Sequence, residues 1–195
     1  MDELKGKVVL ITGAGKGIGR KLAEVLAAQG AIVAANDISP INVDEVVSGI
    51  RAKGGQAKVY VEDVAKKVGA QMIVKSVEDE FGALDILVNH AAVEPHTPLL
   101  NMDEWDWHRV LDVNLTGAFL MSQTAGRVMK EKGSGVIINL VAGAGERSKE
   151  AGAFLASKAG LDELSRQLAR ELNPHGVKVV SASTFEEALK TLEEA

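Results

Sequence analysis

Between Val8 and Leu26 the chain changes character twice within a few residues. Four apolar residues, Val8 to Ile11, lead into Thr12-Gly-Ala-Gly-Lys-Gly-Ile-Gly19, after which Ile18, Leu22, Val25 and Leu26 recur at helical spacing. This reads as a buried strand, a tight turn and a helix. A turn of that kind aims backbone N–H groups and the positive end of a helix dipole at one point, which suits a phosphate. Glycine lets the backbone come close to such a ligand where a Cβ would block it. The spacing T-G-x-x-x-G-x-G differs from the dinucleotide fingerprint G-x-G-x-x-G in every register. The turn alone therefore leaves a plain strand-to-helix connection open.

The same alternation runs on. Strands are expected at Ala31–Asn36, Ala57–Val61, Leu84–Asn89, Val136–Val141 and Val177–Ser181. Helices are expected at Val43–Lys53, Lys66–Phe81, Asp103–Lys132 (with a bend at Gly117) and Gly152–Leu172. Apolar strands alternating with amphipathic helices imply an α/β fold: a doubly wound, Rossmann-type parallel sheet of about six strands with helices on both faces. Residues 1–183 form one domain in this reading. Residues 184–195 add a short acidic amphipathic helix to it, opened by a capping box in which Thr184 accepts from the Glu187 N–H and Glu187 reaches back.

Composition narrows the possibilities. Of 195 residues, 27 are acidic and 22 basic, so the net charge of −5 argues against nucleic-acid binding through phosphates. The chain has no cysteine, which excludes disulfide and thiolate chemistry and fits a cytoplasmic location. No signal peptide or membrane-spanning stretch is expected. His90, His96, His108 and His175 show no metal-ligand spacing. Of these, His96 lies in the loop nearest the expected cleft. Trp105 and Trp107 read as core or interface residues.

In a sheet of this type ligands lie beyond the carboxyl ends of the strands. Asp37 ends the second strand, 20 residues after Gly17. It could bind both ribose hydroxyls of an adenosine and repel a 2′-phosphate, or it could cap a helix. Lys16 could attract a 2′-phosphate, but Asp37 should lie closer, so NAD is favoured over NADP. Asp63-Val64 and Asn89 follow the third and fourth strands.

These residues, in this order, resemble the classical short-chain dehydrogenase/reductase family over roughly Leu4 to Ser181. The resemblance implies a cofactor turn at Thr12, Gly13, Gly15, Lys16, Gly17, Ile18 and Gly19. It implies an NAD-selecting acid at Asp37 with Ile38 beside it, and an adenine-contacting pair at Asp63 and Val64. Asn89-His90-Ala91-Ala92 is similar to the family's Asn-Asn-Ala-Gly and keeps Asn89 and Ala91. Asn114 matches the active-site asparagine, and Lys158 matches the lysine that holds the nicotinamide ribose and lowers the pKa of the catalytic tyrosine.

That tyrosine is absent. Phe154 stands at its position in Phe-Leu-Ala-Ser-Lys158, and the serine position falls on Ala142, or on Val141 in the next register. The resemblance also implies a substrate-covering segment and a last strand after the sixth, which this sequence does not match. The expectation is thus a nicotinamide dinucleotide-binding protein with little or no dehydrogenase activity, a possible pseudoenzyme. Two alternatives remain: an active oxidoreductase on an alcohol or carbonyl using Lys158, Asn114 and water, and a non-catalytic interaction protein. Ser157 and Ser148 are poor substitutes, because Ser157 lies about 100° round the helix from Lys158 and Ser148 sits in a charged loop. The resemblance further implies a homodimer through helices 103–132 and 152–172.

Overall fold

The computed structural model describes residues 4–141 and 150–193. Six strands form one sheet: β1 (Val8–Thr12), β2 (Ile32–Asp37), β3 (Gln56–Val61), β4 (Ile86–Asn89), β5 (Gly135–Leu140) and β6 (Val177–Ala182). All pair in parallel, in the order β3-β2-β1-β4-β5-β6. The order reverses between β1 and β4, and the crevice of a doubly wound sheet opens at that point. The expected α/β architecture is therefore the observed one.

The helices are α1 (Gly17–Ala28), α2 (Pro40–Ala52), α3 (Lys67–Phe81), α4 (Glu104–Leu111), α5 (Ala118–Lys132), α6 (Gly152–Leu172) and α7 (Phe185–Glu193). Strand parity sorts them into two layers. Val9 and Ile11 of β1 face a core shared with α1, α2 and α7, whereas Val8 and Leu10 face one shared with α3, α5 and α6. The central strands β1, β2, β4 and β5 put residues into both cores, which is why they read as apolar runs.

Most boundaries agree with the sequence to within a residue or two, and the exceptions have local causes. Helix α2 starts three residues early because Ser39 accepts a hydrogen bond from Asn42 N and Pro40 occupies the first turn, where its missing N–H costs nothing. The expected single helix 103–132 is interrupted rather than simply bent at Gly117. Residues Asp112–Gly117 form a π-helical turn between α4 and α5. Such turns insert one extra residue into the helical ladder and re-aim the side chains around them. At the other end, Thr184 Oγ1 accepts from Glu187 N at 3.1 Å, while the Glu187 carboxylate reaches Ser183 N at 2.7 Å, one residue beyond the expected partner. Ala188 and Leu192 of α7 are fully buried in the α1–α2 layer. Strand β6 is at the sheet edge. No described helix is long and apolar enough to cross a membrane.

Candidate functional site

The carboxyl ends of β2, β1, β4 and β5 carry Asn36, Thr12, Asn89 and Asn139. All four are buried and lie on the α3–α5–α6 face of the sheet by parity with Ala34, Leu10, Leu87 and Ile137. Buried polar groups need partners, and the protein supplies them. Asn36 Nδ2 donates to the Tyr60 and Glu62 carbonyls, both at 3.1 Å. Thr12 Oγ1 accepts from the N–H groups of His90 and Ala91, both at 3.1 Å, and so ties the end of β1 to the end of β4. Asn89 Nδ2 reaches Ser122 Oγ at 2.9 Å and Asn139 Oδ1 at 2.8 Å, and Asn139 Nδ2 donates to Ser165 Oγ at 2.8 Å.

Thr12 and Asn89 hold the chain ends together here. Their side chains point into the body of the protein and fasten its ends together, so they hold the cleft floor instead of lining it. Asn139, Ser122 and Ser165, which complete this network, were not expected. The available signal was an asparagine near the end of two apolar strands, LVN and IINL, that pair in register.

Above this floor lies the glycine turn. Gly17 adopts φ +55°, a left-handed conformation that glycine tolerates best. A Cβ on Gly13 would come within 2.8 Å of Ala91 Cα, and one on Gly19 would collide with the Gly13 carbonyl oxygen. Much of the glycine pattern is therefore dictated by the chain packing on itself at the switch point. Lys16, the residue before α1, makes no side-chain cap, and the first turn of α1 carries no acid. The first turn of α1 thus has no capping side chain and no acid of its own, an arrangement that favours an anion.

Two cavities flank the turn. The larger, about 430 Å³, is lined by Gly13, Asp37, Ile38, Asp63, Val64 and Ala91, and by residues of α4 and the π-helical turn. The Asp37 carboxylate accepts from Gly15 N and Ser39 N, both at 2.9 Å, and so links the turn to the start of α2. The smaller, about 120 Å³, is lined by Ile18, His90, Val141, Phe154, Lys158 and Ser183. Ala92 borders both. The switch point thus brings together the turn, the acid after β2, the pair after β3, the end of β4 and Lys158 of α6.

Lys158 is buried, and its Nζ donates to the Leu140 carbonyl at 2.8 Å, with the Phe154 ring centroid 5.6 Å away. Phe154 offers this cavity an aromatic edge and no proton. Asn114 sits inside the π-helical turn, fully buried. Its Oδ1 accepts from Val93 N at 2.8 Å, and its Nδ2 donates to Val93 O at 3.0 Å and to Ser157 Oγ at 3.1 Å. Ser157 Oγ in turn donates to Phe154 O at 2.6 Å, so this hydroxyl is committed inside the helix packing, as its angular offset from Lys158 predicts. Ala142 and Ser148 lie outside the described residues.

A family model described as short chain dehydrogenase matches residues 7–185, nearly the whole chain. The chain belongs to the short-chain dehydrogenase/reductase family. It is 43% identical over 183 residues to an uncharacterized oxidoreductase of Thermotoga maritima, covering 90% of this chain and 69% of that protein. It is 36% identical over 181 residues to a D-threitol dehydrogenase of Mycolicibacterium smegmatis, covering 92% and 70%. Among solved structures, an NAD+-bound xylitol dehydrogenase superposes with a TM-score of 0.87 at 32% identity, covering 91% of this chain and 69% of that one.

The histidine at the small cavity of this dehydrogenase-family chain is His90 and not His96, which is exposed. Burial, with the Lys158 charge adding to it and Asp37 opposing, pushes the His90 imidazole down to about 4. It is therefore neutral near pH 7 and adds no second cation beside Lys158. Of the two expectations for Trp105, core and interface, the structure excludes the core: it is 68% exposed on α4 and lines the large cavity.

Proposed function

We propose that this chain is an NAD(H)-binding member of the family with little or no dehydrogenase activity, serving a sensing, scaffolding or degenerate role. One observation carries the proposal. At the small cavity, where Lys158 is kept, the side chain available at the position of the proton-donating tyrosine is the phenyl ring of Phe154. Ala142, at the serine position in the sequence, has no hydroxyl either. A positioned general acid contributes about 10²–10⁴-fold and one oxyanion-type donor about 10²–10³-fold. The two act on the same substrate oxygen, so the losses need not multiply.

The residues around the cleft suit the dinucleotide. The open N-terminus of α1, with Gly13, Gly15, Lys16, Gly17 and Gly19 around it, would take the pyrophosphate. Ile38, Asp63, Val64 and Ala91 line the space for the adenosine, and Ile18 and Lys158 that for the nicotinamide side. When bound, the nicotinamide supplies a hydride acceptor or donor. Lys158 would hold its ribose, and Asn114 would fix the loop after β4 to α6. Four carboxylates (Asp37, Glu62, Asp63 and Asp112) line the larger cavity against two permanent cations, Lys66 and Arg109. That balance, with Asp37 at the end of β2, favours a ribose hydroxyl over a 2′-phosphate and supports NAD rather than NADP. Two copies would pair through the helices at 103–132 (α4 and α5) and 152–172 (α6), as read by light scattering at micromolar concentration, where a strict monomer would reject the pairing.

A second reading, an active oxidoreductase on an alcohol or carbonyl, has one observation in its favour: Lys158 shares its cavity with Ser183 and Thr184. A screen of alcohols with NAD and of carbonyls with NADH separates the two. The pseudoenzyme reading predicts no turnover above that of Lys158→Ala. Robust turnover that falls on Lys158→Ala establishes the second reading, and robust turnover unchanged by it contradicts the assignment of the site.

A further inference from the structure

Helix α4 lines the large cavity together with Ile38 and Asp63, and it contributes an aromatic side chain to it. Trp105, His108 and Arg109 stand at i, i+3 and i+4, on one side of the helix, and all three line the cavity. Asp103 caps the helix, accepting from Asp106 N at 2.7 Å, so the first turn carrying Trp105 is firmly started. The Arg109 guanidinium lies 5.3 Å from the Trp105 ring, a cation–π contact that restricts the indole. Ile38, which lines the same cavity, is 70% exposed. Two large apolar side chains are thus left exposed in the lining of one concave space, where isolated exposed apolar residues would need no explanation but a pair in one cavity does. Trp107, two residues on, is half-buried and does not line the cavity.

We propose that Trp105 is the outer wall of the base-binding end of the cleft and packs against a purine ring that enters opposite Ile38. A purine is planar, uncharged and apolar on its faces. It therefore gains from an indole and an isoleucine without opposing the acidic lining that disfavours a phosphate there. This rests on the dinucleotide reading and adds to it a recognition residue on α4, for which the glycine turn and Asp37 give no warrant.

The test is calorimetric titration of the full chain with NADH and with AMP, with tryptophan emission followed in parallel. Trp105→Ala is expected to weaken both ligands by about tenfold, whereas Trp105→Phe, which keeps an aromatic face, stays within about twofold of the parent. AMP should change the emission of the parent and of Trp107→Phe, and should leave that of Trp105→Phe unchanged. Trp105 is exposed, so these variants should fold as the parent does. If the parent binds NADH and Trp105→Ala binds NADH and AMP equally well, the role of Trp105 is wrong while the dinucleotide site stands. If the parent binds neither NADH nor AMP, both fail together.

Discussion

Phe154→Tyr is expected to introduce a phenol that ionises below its ordinary pKa of about 10. The cause is Lys158, whose ammonium lies 5.6 Å from the centre of the ring to be replaced and would favour the phenolate. The measurement is unusually clean in this chain, because Tyr60 is its only tyrosine. Burial, together with a hydrogen bond to Glu80 and that carboxylate's charge, pushes the Tyr60 phenol well above the ordinary value. An ultraviolet pH titration should therefore show one early transition in the variant that the parent lacks and that moves upward on adding Lys158→Ala. A phenol titrating at or above its ordinary value would show that Phe154 and Lys158 do not form the expected pair. The same substitution, combined with Ala142→Ser, should raise hydride transfer by about 10²-fold or more in the alcohol and carbonyl screen, in line with restoring a positioned acid.

Gly19→Ala should have the largest effect at the other end of the site. Its Cβ would collide with the Gly13 carbonyl oxygen, a backbone atom that cannot swing aside. Either the turn or the first residues of α1 must move. We expect a stability loss of about 1–3 kcal/mol by chemical denaturation. NADH affinity should fall at least about tenfold, because the donors that converge on the phosphates would be displaced together. Gly49→Ala is the matched control. It lies inside α2 with nothing within 4 Å of the added Cβ, so it should stabilise the helix by about 0.5–1 kcal/mol and leave NADH binding unchanged. Equal effects of the two substitutions on NADH affinity would remove the turn from the site.

The fold was legible because its signals are periodic. Apolar strands and amphipathic helices alternate, and short turns with Gly, Pro or a capping side chain separate them. The placement of Asp37 and Lys158 beside the glycine turn was legible, and each lines a cavity there. Where strand parity decides the outcome, the sequence was less informative. Thr12 and Asn89 end their strands on the side of Leu10 and Leu87, so their side chains turn inward to the helix layer. Parity within a strand can be counted from sequence, but which face meets the cleft depends on packing between layers. The irregular paths were also out of reach. The π-helical turn that places Asn114 replaces a helix the pattern shows as continuous. The course of the chain between β4 and α4 decides that His90, and not His96, reaches the cavity beside Lys158. Trp105 is of a residue type common in cores, and only the packing of α4 shows that it is exposed and lines the cleft.

The central claim is that the chain holds a nicotinamide dinucleotide, and NAD in particular, although the far end of its cleft lacks the usual proton donor. Calorimetric titration of the unmodified chain with NADH, and separately with NADPH, tests it most directly. Saturable binding of NADH, with NADPH weaker by about tenfold or more because its 2′-phosphate must approach Asp37 and the acidic lining, is the predicted result. Failure of both cofactors to bind at millimolar concentration would contradict it.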